Sequence, residues 1–172
     1  MTDKIKHVEA LIDEIYSVLG VEITERNIDT PHRIAKFWCN EVFAPKDIKE
    51  LDKVMKAFPN PAPIEGTASP VICEMEFSSY CEHHLLPFFG KCRIEYTPAE
   101  KILGLSKFNR IVNFFSEQPQ TQENLTVEIC RYIKKITGGK NVRVTLYDTT
   151  HTCVECRGVR GKSNTTTTYF ID

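Results

Sequence analysis

The chain has 172 residues, the length of one domain at roughly 100–200 residues each, and a formal charge of −1 from 22 basic and 23 acidic residues. That balance excludes a protein that coats nucleic acid electrostatically, and 41% hydrophobic with 26% charged residues excludes a disordered chain. No apolar run approaches the roughly 20 residues of a membrane helix, and the opening residues do not form a signal-peptide core. A soluble cytoplasmic protein is expected, with neither membrane nor nucleic acid as a partner.

Val8, Leu11, Ile12, Ile15 and Leu19 recur at helical spacing and predict an amphipathic helix closing near Gly20. Thr30-Pro31 predicts a second helix, capped by Thr30 and running to about Val42, that carries His32, Arg33 and Lys36. A short helical piece over Ile48–Ala57 precedes Pro59, Pro61 and Pro63, the expected hinge between a helical arm (residues 1–63) and the main domain (64–172). The period then changes to two. Val71, Cys73, Met75 and Phe77 predict one strand; Cys92, Ile94 and Tyr96 predict a second. Two helices follow, one with Phe108, Ile111, Val112 and Phe115 on a face. The other carries Leu125, Ile129, Tyr132, Ile133 and Ile136 and stops at Gly138-Gly139. Val142, Val144 and Leu146 predict a third strand and Asn164–Phe170 a fourth. Strand pairs around a helix pair predict an α+β fold: a four-stranded antiparallel sheet with both helices on one face.

Seven cysteines, an odd number, with no export signal read as reduced thiols, some packed as small hydrophobes and some holding metal. Three of the five histidines fall in two short segments, Cys81-Glu-His83-His84 and His151-Thr-Cys153-Val-Glu-Cys156-Arg157. Cys81-x-x-His84 has metal-ligand spacing, and Cys153 would complete a Cys₂His set whose fourth position stays open to water, as in a catalytic zinc site. Cys153-x-x-Cys156 has ligand spacing too, so a closed structural Cys₃His site stands beside it. The flanking His83 and His151 favour the open site, because imidazoles beside an activated water are natural proton shuttles.

Ser106-Lys107-x-x-Arg110 opens a helix. With Ser106 as N-cap, its free amides and positive dipole end suit a phosphate; the plainer alternative is a solvated basic face. Arg157, Arg160, Arg33 and Lys36 offer further cations. Glu123, in a helix's first turn, either complements the dipole or accepts two hydrogen bonds from an amidine edge such as guanine N1–H and N2–H₂.

These segments resemble the GTP cyclohydrolase I family. Ser79–Gly90 is similar to its zinc and histidine signature, Leu103–Arg110 to its second signature, and Gln120–Thr126 to its base-recognition segment. His151–Arg160 resembles its third ligand segment, Asn164–Thr168 its closing strand, and Thr30–Lys36 a segment of its arm. The resemblance implies the tunnelling fold and a ring-stacked homo-oligomer, a decamer, with sites at subunit interfaces. It further implies one zinc per subunit on Cys81, His84 and Cys153, with Cys156 outside the ligand set. The implied reaction converts GTP and water to 7,8-dihydroneopterin triphosphate and formate by hydrolytic opening at C8, ribose rearrangement and closure of the pterin ring. In it, His83 and His151 carry protons and Ser106 assists the ribose. Glu123, with Gln122 nearby, clamps guanine, and Lys107, Arg110, Arg157, Arg33 and Lys36 hold the triphosphate.

Overall fold

The computed structural model describes residues 3–60 and 71–172, so Pro61 and Pro63 of the expected hinge lie outside the described residues. Contacts divide the chain into two compact units, Met1–Pro45 and Lys46–Asp172.

In the first unit, α1 (Asp3–Val18) packs on α2 (Thr30–Phe37), and a π-helical turn, Trp38–Val42, continues α2. Ile5, Ile12, Ala35 and Cys39 form its buried centre. Thr30 is the first helical residue and not the cap. Asp29 stands at the N-cap position with a helical backbone, φ −86° and ψ −3°, and makes no side-chain cap bond; its carboxylate lies 3.5 Å from Arg33.

The second unit begins with α3 (Ile48–Val54), capped by Asp47, whose carboxylate accepts from the Lys49 amide. This helix is shorter than expected. Met55 is extended, and Ala57–Pro59 forms β1, paired antiparallel with β4 (Lys101–Leu103). The main sheet carries β2 (Val71–Cys81), β3 (Pro87–Thr97), β6 (Lys140–His151) and β7 (Asn164–Ile171), each antiparallel to the next. It has five strands where the sequence reading expected four. The extra one, β5 (Pro119–Gln120), pairs parallel with Tyr80 and Cys81 at the sheet's edge. It comprises two residues, too few to leave an alternating pattern.

Alternation along the strands turns Phe77, Phe88, Cys92, Ile94, Tyr96, Val142, Val144 and Leu146 into one core with α4 (Leu105–Ser116) and α5 (Gln122–Thr137). α4 lies against β2, and α5 against β6 and β7. The opposite face is mixed: Arg93 bridges Glu74 and Glu95, and Ile72, Phe89 and Phe170 are exposed on it. α5 ends where the glycine pair predicted: Gly138 is left-handed, φ 61°, a conformation glycine adopts without steric cost. All seven cysteines are free.

Candidate active site

The β2–β3 hairpin builds the first half of the site. After Cys81 the chain turns back at once: the amides of His84 and Leu85 both donate to the Cys81 carbonyl, and the Cys81 amide donates to the Leu86 carbonyl. The turn folds the His84 ring over its own strand end, with Nδ1 3.7 Å from Cys81 Sγ, and holds His83 Nδ1 3.8 Å from the same sulfur. The second half comes from the end of β6. His151 is its last residue, and Cys153 lies in the short helix α6 (Thr152–Glu155) that follows. β6 is hydrogen-bonded to β3, with His151 opposite Phe88, so the two ends converge.

The ligand atoms of Cys81, His84 and Cys153 lie within 4.8 Å of one another, while Cys156 is exposed and outside that group. The set fits zinc. Bonds of about 2.3 Å to sulfur and about 2.0–2.1 Å to nitrogen at a tetrahedral angle put neighbouring ligands roughly 3.5–3.8 Å apart, which matches the Cys81–His84 separation. Burial, then the adjacent Cys81, pushes the Cys153 thiol up from its ordinary value.

Around these three the protein forms a pocket of about 170 Å³ whose lining includes His83, Phe88, Gln120, Gln122, Glu123 and His151. The parallel pairing of β5 with Tyr80 and Cys81 places the start of α5 against the ligand cluster. Thr121 caps that helix by accepting from the Asn124 amide, which sets Gln122 and Glu123 in its first turn. Burial lowers the His151 imidazole below its usual value, opposed by the nearby charge of Glu123. Its ring is stacked on Phe88, with centroids 4.9 Å apart and planes 9° apart. His83 stays exposed, beside Glu82 at 3.7 Å.

Arg157 joins this group, its Nη1 2.7 Å from His84 Nε2. Ser106, Lys107 and Arg110 stand on the first two turns of α4, outside the pocket lining. Ser106 is not the N-cap. Gly104 holds that position in extended conformation, so Ser106 is the second helical residue and exposed. Arg33 and Lys36 stand on α2 of the first unit, Arg33 exposed and paired with Asp29. The pocket is lined by residues of the second unit. Phe88 in the pocket lining and Thr165 beside it escaped the sequence reading. Phe88 sits in a strand as an ordinary core aromatic, and Thr165, described below, is one of four consecutive threonines with nothing local to single it out.

Comparison with known proteins bears on the same residues. The family model of GTP cyclohydrolase I matches residues 8–172. This chain belongs to the GTP cyclohydrolase I family. GTP cyclohydrolase 1 of Tolumonas auensis is 38% identical, over 96% of this chain and 76% of that protein. GTP cyclohydrolase 1 of Edwardsiella ictaluri is 36% identical over 94% and 72%, and that of Aliivibrio salmonicida 36% identical over 96% and 75%. An enzyme of the GTP cyclohydrolase I type, a hydrolase of pterin biosynthesis, is therefore what the pocket has to perform as. Among the described residues no helix is long and apolar enough to cross a membrane.

Proposed function

We propose that this chain converts GTP and water to 7,8-dihydroneopterin triphosphate and formate in the pocket that joins the ends of β2 and β6 to the start of α5. The observation that carries the reading is one of convergence: two sulfurs and one imidazole lie within 4.8 Å, and two further imidazoles line the same cavity. Cys81, His84 and Cys153 would hold one zinc ion per subunit. When bound, zinc supplies a nucleophilic hydroxide near neutral pH and polarises what it touches.

The remaining work falls to side chains. Glu123 accepts hydrogen bonds from guanine N1–H and N2–H₂, with Gln122 beside it. Adenine lacks that donor pair and would leave the carboxylate unpaired, so ATP is rejected. His83 and His151 supply and remove protons as N7 of the purine is protonated, C8 is attacked and the ring opens, steps an imidazole can run reversibly near pH 7. Ser106 assists the ribose rearrangement. Lys107, Arg110 and Arg157 hold the triphosphate as positioning charges.

The reading extends to assembly. In the proposed tunnelling-fold arrangement, subunits stack in rings as a decameric homo-oligomer. The arm's Arg33 and Lys36 then serve the pocket of a neighbouring subunit. The free thiols agree with a reducing, cytoplasmic setting.

The test is to incubate purified, zinc-loaded protein with GTP and assay formate and, after oxidation, a fluorescent pterin. Both products in equal amount are expected. Formate without pterin would restrict the chemistry to ring opening and the second hydrolysis that releases formate, and neither product would overturn the proposal.

A further inference from the structure

Behind the pocket lies a short chain of hydrogen bonds. Gln122, 2% exposed, donates through Nε2 to the Leu146 carbonyl at 3.3 Å, which fixes which way its amide points. Its Oε1 then faces two groups at once, His151 Nε2 at 2.8 Å and the Thr165 hydroxyl at 2.6 Å. A carbonyl oxygen only accepts, so both must donate. Thr165 has a second acceptor within reach, the Thr149 carbonyl, but at 3.5 Å it is the weaker partner.

The consequence for His151 is specific. Nε2 must carry a hydrogen in the neutral ring and in the imidazolium alike, and stacking on Phe88 holds the ring plane. Proton traffic is left to Nδ1, and the contact with Gln122 survives each transfer because the amide accepts in both states. Gln122 is neutral, so it orients the imidazole without adding a fixed charge behind it.

We propose that Thr165 is a positioning residue for the reaction. Its hydroxyl, acting through Gln122, holds His151 as the Nε2–H tautomer and leaves Nδ1 as the nitrogen that exchanges a proton with the substrate. This rests on the reading of His151 as a proton carrier. It also gives the Gln122 side chain an inward task distinct from the guanine contact made by its neighbour Glu123.

The experiment compares zinc-loaded Thr165→Val, which keeps the shape and loses the donor, with Thr165→Ser, which restores the donor. For Thr165→Val, kcat should fall about tenfold, a share of the roughly 10²–10⁴ that a positioned proton carrier contributes, with KM for GTP and zinc content unchanged. Thr165→Ser should recover most of the loss. Solid-state ¹⁵N spectra of histidine-labelled protein, with the His151 signals identified by their absence in His151→Asn, should show protonated Nε2 in the parent and a mixture of tautomers in Thr165→Val. An unchanged kcat and tautomer in Thr165→Val, while His151→Asn is inactive, would overturn this inference alone. Full turnover by His151→Asn would instead overturn the reading on which it rests.

Discussion

Two pairs of buried cysteines live in this molecule under different rules. Cys92 and Cys130 have no exposed surface; they sit between the sheet and α5, and burial pushes their thiols up to about 12 and about 11. Cys81 and Cys153 are nearly as buried, at 7% and 9% exposed, yet they meet at the end of the sheet beside the imidazole of His84. Burial by itself makes a thiol an inert, small hydrophobe. What turns a cysteine into a ligand is company, a second sulfur and an imidazole nitrogen at the separations a metal requires. Neighbourhood, and not accessibility, distinguishes the two pairs.

That distinction can be broken most directly at Cys153. Cys153→Ala is expected to abolish both zinc binding and turnover, whereas Cys156→Ala, three residues on and outside the cluster, should retain both. Atomic absorption on the purified variants decides it, and the reverse pattern would refute the ligand assignment. Next in size is His83, which lies at ligand distance from Cys81 but is read as a proton carrier. His83→Ala should keep full zinc content while losing about 10²–10⁴ in turnover, so normal turnover would remove it from the mechanism. Glu123→Gln should weaken the preference for GTP over ATP by roughly 10- to 100-fold, the worth of about 1.5–3 kcal/mol of charge-assisted hydrogen bonding. Competition kinetics with both nucleotides measures this, and an unaltered ratio would count against the base clamp. Smallest is the core pair. Cys92→Ala should cost about 1 kcal/mol, lowering Tm by roughly 2–4 °C, with zinc content and KM unchanged. A loss of metal there would erase the contrast between core and site.

Much of this architecture was legible in the residues because it rests on local periodicity. The stripe Phe108, Ile111, Val112 and Phe115 lies buried along α4 as its spacing requires, and the alternation from Cys92 to Tyr96 marks the buried face of β3. Gly138 closes α5 for a reason internal to its own backbone. The features that escaped are set by partners far away in the chain. Ala57–Pro59 becomes a strand through pairing with Lys101–Leu103, and Pro119–Gln120 through Tyr80 and Cys81. The same holds within the site. Cys81-x-x-His84 announces itself because one turn joins both side chains, whereas the hydroxyl of Thr165 reaches Gln122 only because β7 lies beside β6. Asp29 illustrates a local rule overridden locally: a residue suited to capping sits in helical backbone, where its side chain makes no cap bond.

The two-residue clip of β5 on β2 is the smallest element of the sheet and sets a measure for the substrate. It fastens Gln120, which leads into α5, directly to Cys81, which begins the hairpin carrying His83 and His84, by backbone pairing. On the proposed reading, this pairing sets the separation between Glu123 and the Cys81–His84–Cys153 cluster through backbone hydrogen bonds.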